Sequence, residues 1–206
     1  MPPTFEFEQM MLQQGHRLVA GVDEAGRGPL AGPLVAAAVI LDPGSMPEGV
    51  DDSKALKPEQ RAALFEAILD CAEVGIATVS VAEIDRINIR QATLLAMRRA
   101  VAALPRRPCV ALIDGNDPPA LSCATSAIIG GDGLSLSIAA ASIVAKVFRD
   151  AIMRRLEAAH PGYGFSAHKG YGTKAHLAAL ARLGPSAAHR TSFAPVRLSL
   201  PGATLA

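Results

Sequence analysis

Four carboxylates stand where short apolar segments give way to glycine-rich stretches. Asp23 and Glu24 follow segment 17–22, Asp114 closes 109–113, and Asp132 sits behind Gly130 and Gly131. Strand ends facing loops are where layered α/β folds place ligands. Adjacent strand residues point to opposite faces, so Asp23 and Glu24 converge only if the backbone bends; Gly26 and Gly28 make a bend easy. Carboxylates brought to about 4 Å repel by about 4 kcal/mol per pair at a moderate effective dielectric. A divalent cation removes that repulsion, and an all-oxygen donor set selects Mg²⁺ or Mn²⁺ over zinc. Asp114 in IDGND and Asp132 in GGDG equally suit plain turns.

A second feature is the loop Gly26-Arg27-Gly28-Pro29-Leu30-Ala31-Gly32. It loosely matches a dinucleotide fingerprint. That mechanism needs a helix opening at the loop, whereas Pro29 and Pro33 lead here into an apolar, strand-like run. The loop instead offers bare backbone that a ligand can approach closely, with Arg27 supplying charge; a purely structural hairpin is the other reading. A third feature is the stripe Ser142, Lys146 and Asp150, which shares one helix face at i, i+4, i+8 spacing. Contact with phosphate and support of the carboxylates explain it better than outward snorkelling of the lysine. Ser53, Lys54, Lys169, Thr173 and Lys174 are further phosphate-contact candidates. Arg154, Arg155 and Arg182 suit either a solvated face or a track for a polyanion.

These residues need elements to position them. Residues 17–23 and 34–42 are predicted as buried strands, followed by a helix over 58–72 that opens at Pro58. Strand 74–81, helix 92–104, strand 109–114 and strand 122–132 come next. A long helix follows over 135–159, then a loop dense in Gly, His and Lys over 160–173, and a short helix over 174–183. The order predicts a mixed sheet flanked by helices, an α/β layered domain with a C-terminal helical portion. Residues 1–16 are expected to be a leader, 17–197 one folded domain that carries the carboxylates, and 198–206 a frayed tail.

Length and composition set the frame. The chain has 206 residues, half of them hydrophobic, which is one domain's worth and too apolar for disorder. The longest apolar run, Leu34–Leu41, is far shorter than the ~18 residues of a membrane span. No secretory signal is evident in the first residues, so a cytoplasmic location is expected. Cys71, Cys109 and Cys123 are odd in number and widely spaced, which excludes a disulfide framework or zinc ribbon. Net charge is only +1, but it is unevenly spread. From Lys146 to Arg197 there are nine Lys or Arg against two acids, +7, which leaves −6 elsewhere. Such asymmetry suits a polyanionic partner as well as solvated helix faces.

The string Val22-Asp23-Glu24-Ala25-Gly26-Arg27-Gly28-Pro29, with Gly32-Pro33, resembles the signature of bacterial ribonuclease HII. Four further motifs resemble that family's in the same order. These are Asp52-Ser53-Lys54; Ile113-Asp114-Gly115-Asn116; Gly131-Asp132 with the helix running from Ile138 to Asp150; and Tyr163-Gly164-Phe165 with His168-Lys169-Gly170-Tyr171-Gly172-Thr173 and His176. The likeness covers about residues 17 to 197. The sibling type HIII carries a DESGKG-like first motif and an extra N-terminal domain; DEAGRG and a short leader favour type 2.

The resemblance implies an RNase H-like fold. It implies cleavage of RNA in RNA–DNA hybrids and nicking 5′ of single ribonucleotides in duplex DNA, giving 3′-hydroxyl and 5′-phosphate ends. It implies Asp23, Glu24, Asp114 and Asp132 as catalytic metal ligands, with Asp150 as a supporting fifth, and Mn²⁺ or Mg²⁺ as cofactor. Gly26, Arg27 and Gly28, with Tyr171, are implied as sensors of the 2′-hydroxyl that separates RNA from DNA; Tyr163 is the competing tyrosine. With two tyrosines and no tryptophan, base stacking is not the main binding mode. His168 and His176 are expected to organise the loop or approach phosphate. The partners expected are the hybrid and ribonucleotide-containing duplex, with no membrane, for a monomer active alone. Other classes keep a hearing: a junction-resolving relative, a silent hybrid-binding module, and the weak dinucleotide-dependent oxidoreductase.

Overall fold

The computed structural model describes residues 2–200. Five strands form one mixed sheet in the order β3-β2-β1-β4-β5. They are β1 (Val19–Ala25), β2 (Leu34–Leu41), β3 (Ala72–Val79), β4 (Val110–Asp114) and β5 (Ala124–Ile128). β1 to β3 pair antiparallel, while β1, β4 and β5 run parallel. The helices are α1 (Glu6–Gln13), α2 (Pro58–Cys71), α3 (Val81–Ala102), α4 (Leu136–Ala159), the single turn α5 (Phe165–His168), α6 (Lys174–Leu183) and the single turn α7 (Ala194–Arg197). The predicted α/β mixed sheet flanked by helices, ending in a helical portion, is the observed architecture.

Strand alternation splits the core into two layers. Ala20 and Val22 of β1, with Leu34, Ala36 and Ala38 of β2, pack against Ala92, Ala96 and Ala100 of α3. Val35, Ala37 and Val39 face Ala139, Ala140, Ile143 and Val144 of α4, with Ile68 of α2 behind them. Both faces of β2 are therefore covered, which is why its eight residues are apolar without alternation. The small residues let α4 sit close to the sheet. At Gly21 a β-carbon would stand 2.1 Å from the Ser137 carbonyl carbon, so only glycine fits beneath the helix's first turn.

Some boundaries differ from those predicted. α1 forms within the segment expected as a leader; Glu8 is buried there and accepts hydrogen bonds from the Ser137 N–H at 2.8 Å and the Ser135 hydroxyl at 2.5 Å. A carboxylate thus caps the start of α4 from 127 residues away. α3 opens at Val81 and not at 92. Ser80 and Glu83 form its capping box, and Asn88, at φ 66°, breaks it internally. β1 runs on to Ala25, and β5 stops at Ile128. Of the tail expected to be frayed, Ser199 and Leu200 donate back to Val196 and Arg197, and residues 201–206 lie outside the described residues. No helix among the described residues is long and apolar enough to cross a membrane.

Candidate active site

β1 and β4 run parallel, with Val22 beside Ile113 as their last paired residues. Asp23 and Asp114 each follow by one step, so their side chains leave adjacent strands on the same face, towards α4. Beyond β5 the chain turns through Gly130, at φ 67°, into a 3₁₀ turn over Gly131–Gly133. The Gly131 N–H donates to Asp114 Oδ1 at 2.7 Å, which places Asp132 alongside. One carboxylate oxygen from each of Asp23, Asp114 and Asp132 lies within 4.8 Å of the others.

Glu24 behaves differently. The bend that would turn Glu24 in with Asp23 is absent: β1 continues straight to Ala25, so Glu24 points to the α3 side of the sheet and three carboxylates converge. Glu24 still borders the cleft and pairs with Arg27 at 3.3 Å. Asp150 also stands outside the group of three: it pairs with Lys146 at 2.9 Å, one turn further along α4.

The electrostatics are those of a cation site. Asp23 is 5% exposed. Burial first, then the charges of Glu24 and Asp114, hold its carboxyl well above the ordinary range, against the Glu24 N–H and the Ser142 hydroxyl. Asp114 is raised by burial and by Asp132. Burial also raises Glu24, against the opposing pull of Arg27. Lys54 Nζ meets Asp132 Oδ2 at 2.5 Å, and that hydrogen bond raises the ammonium's own pKa. Three clustered oxygens with one lysine leave negative charge in excess, and a hard divalent ion fits that donor chemistry.

The cleft beside the cluster measures about 370 Å³. Its walls bring together the glycine loop, Ser53 and Lys54, Ser142 and Lys146 of α4, and Tyr171. Arg27 and Gly28 are exposed, and a β-carbon on Gly28 would meet the Tyr171 ring at 3.7 Å. Tyr171 is 47% exposed, whereas Tyr163 is 8% exposed with its hydroxyl on the Gly184 carbonyl at 2.7 Å. Tyr171 is therefore the tyrosine in the cleft and Tyr163 a packing residue.

Four other candidates spend their polar atoms internally. The Ser53 and Ser142 hydroxyls bond each other at 2.7 Å. Thr173 caps α6 through the His176 N–H. Lys169, at φ 52°, donates to the Ser166 carbonyl.

His176 is buried with His189, a residue the sequence reading had no reason to single out. The Ser186 N–H donates to His189 Nδ1 at 3.0 Å, so His189 carries its proton on Nε2. That Nε2–H donates to His176 Nε2 at 3.1 Å, and His176 Nδ1–H then donates to the Tyr171 carbonyl at 2.9 Å. Both rings are neutral in this chain. They organise the loop, as expected for His176, with no route to phosphate. The sequence reading also missed Arg149 and Arg190, both buried side chains. Their partners are backbone carbonyls, which no residue type announces.

Comparison with known proteins gives this geometry its relatives. Residues 20–196 match the family model for ribonuclease HII. The ribonuclease HII of Parvibaculum lavamentivorans is 61% identical over 96% of this chain and 74% of its own length. The crystal structure of ribonuclease H2 from Pyrococcus horikoshii superposes at TM-score 0.76 with 27% identity, covering 88% of this chain and 96% of that one. The structure of Bst-RNase HIII in complex with Mn²⁺ shares the fold at TM-score 0.68 and 22% identity, over 88% of this chain and 68% of that one. By its matched residues and its architecture, the chain belongs to the ribonuclease HII family of metal-dependent ribonucleases.

Proposed function

We propose that the protein cleaves the RNA strand of RNA–DNA hybrids and nicks duplex DNA on the 5′ side of a single embedded ribonucleotide. It leaves 3′-hydroxyl and 5′-phosphate ends and serves ribonucleotide removal from DNA. One observation carries the reading: Asp23 and Asp114, two of the three converging aspartates, line one cleft with the exposed Arg27–Gly28 backbone and the Tyr171 ring. A cation site alone suits any nuclease of this architecture; a sugar-contacting wall beside it suits one that inspects the 2′ position.

In this reading Asp23, Asp114 and Asp132 hold divalent ions, Mg²⁺ or Mn²⁺, with Glu24 at the cleft's edge and Asp150 supporting through Lys146. A pair of such ions, when bound, supplies charge neutralisation at the attacking and leaving oxygens. The rest of the work is positioning. Lys54 and Lys146 attract the phosphates, and Gly28 presents backbone without a side chain to the sugar. Tyr171 lays an aromatic face against the neighbouring sugar. The buried histidines touch none of the reacting atoms, so no general base is assigned to them. The enzyme acts as a cytoplasmic monomer.

End-group mapping of the products from an RNA–DNA hybrid tests this assignment. Fragments that carry a 5′-phosphate and a ligatable 3′-hydroxyl support it. Fragments ending in 2′,3′-cyclic phosphate would show attack by the 2′-oxygen and refute it.

A further inference from the structure

Arg190 is buried, and no carboxylate meets its guanidinium among the described residues. It donates to four carbonyl contacts of one loop: Gly26 at 2.7 Å, Arg27 at 3.0 Å, and Gly32 at 2.8 and 3.0 Å. Arg149, reaching in from α4, does the same to Ala31 at 3.1 Å and Pro33 at 3.0 Å, and adds the Lys169 carbonyl at 3.0 Å. Burying two such cations is costly. A neutral side chain would fill the same space, so the number and direction of the donors need a reason.

The reason lies in the peptide plane. In a trans peptide the carbonyl and the following N–H point in opposite directions, and no peptide bond in the described residues is cis. With the Gly26 and Arg27 carbonyls turned inward onto Arg190, the N–H groups of Arg27 and Gly28 must turn away from it. Neither N–H has an acceptor among the described residues, and both residues are exposed at the cleft. Unpaired backbone donors side by side form a nest for an electron-rich oxygen. Gly26 permits the turn: at φ 99°, a β-carbon there would stand 2.1 Å from Arg149 Nε.

We infer that Arg190 is a positioning residue for substrate choice: it turns the Arg27 and Gly28 N–H groups outward as a preset pair that receives an oxygen of the ribonucleotide. Arg149 locks the far end of the same loop to the Lys169 carbonyl, and so to the segment that carries Tyr171. This rests on the functional reading above and deepens it: recognition is held in place from beneath by a side chain that never touches substrate.

The test pairs a variant with a measurement on the unaltered protein. Arg190→Lys keeps the charge but cannot span three carbonyls with a planar fork. Its kcat and KM are compared with wild type on duplex DNA carrying one ribonucleotide, and its affinity for the all-DNA duplex is measured with Ca²⁺. The expected result is a fall in kcat of at least about tenfold, with all-DNA affinity within about threefold, because phosphate contacts are untouched. A variant with wild-type kcat overturns the inference, as does one whose all-DNA affinity falls in step with kcat. Amide exchange in the wild-type protein covers the case of a variant that does not fold. The Arg27 and Gly28 N–H groups should exchange fast in the free protein and slow on adding the ribonucleotide duplex; protection in the free protein overturns the inference. A wild-type enzyme that fails to cleave any ribonucleotide substrate overturns the functional reading instead, and the exchange rates still decide the loop geometry.

Discussion

Lys54 Nζ lies 2.5 Å from Asp132 Oδ2, a bond that ties the loop after β2 to the turn after β5. Among the described residues its ammonium is the one side-chain cation that pairs with any of the three aspartates, and it neutralises part of a cluster in which Asp132 raises Asp114 and Asp114 raises Asp23. Lys54→Met removes that compensation. The midpoint of thermal unfolding should then gain more from added Mg²⁺ than in wild type, because the ion relieves more repulsion. Equal Mg²⁺-induced shifts in the two proteins would show that Lys54 does not share the cluster's charge.

Asp23→Asn separates function from stability. The amide removes one charge from a crowded, buried group. In EDTA the variant should be as stable as wild type or more stable by about 1 kcal/mol, a rise of about 2–4 °C in a domain this size. Cleavage should fall by about 10³-fold or more. Scanning calorimetry beside an activity assay reads both. A destabilised variant with its activity intact would remove Asp23 from the site.

The two tyrosines predict opposite phenotypes. Tyr171→Ala, at an exposed ring, should cost under about 0.5 kcal/mol in stability yet slow nicking at single ribonucleotides strongly. Tyr163→Phe deletes the hydroxyl bonded to the Gly184 carbonyl. It should cost about 1 kcal/mol and leave kcat unchanged. Urea unfolding and steady-state kinetics on the two variants make the comparison, and a kcat loss confined to Tyr163→Phe would reverse the assignment.

His189 gives the fold a pH dependence. Burial first, then the neighbouring His176, lowers it to about 4. Between that value and the ordinary 6.5 the unfolded chain binds the proton that the folded chain refuses, so stability is full above 6.5 and is lost as pH falls towards 4. His189→Asn does not titrate, and its amide oxygen can accept the Ser186 N–H. Between pH 7 and 4.5 wild type should lose on the order of 2 kcal/mol more than this variant, after allowing for solvent screening. Taking the difference between the two proteins cancels the titration of the carboxylates. Parallel pH profiles would refute the neutral histidine chain.

The sequence showed most where a residue's type states its role. Asp114 and Asp132 were legible because each ends an apolar run beside glycine, and β2, α2, α4 and α6 were legible from their apolar spacing. The direction of Glu24 was not legible because it depended on whether the chain bends, and the pairing of Ala25 with Val35, which keeps β1 straight through that point, is set by the sheet. The start of α3 was written in Ser80 and Glu83 but lay under a strand-like run. α1 was hidden because part of what fixes it is tertiary, the bonds from Ser135 and Ser137 to Glu8. Arg149 and Arg190 were hidden for a deeper reason: backbone carbonyls occur at every position, so a side chain that binds them leaves no partner to find in the sequence.

If the aspartate cluster and the sugar-inspecting wall act together, cleavage requires both a divalent ion and a ribonucleotide. The most direct test is a nicking assay on end-labelled duplex DNA carrying one ribonucleotide, run beside the all-DNA duplex, with Mg²⁺, Mn²⁺ or EDTA. The expected result is a single nick on the 5′ side of the ribonucleotide with either ion, none in EDTA, and none in all-DNA. Nicking that ignores the ribonucleotide, or that persists in EDTA, would contradict it.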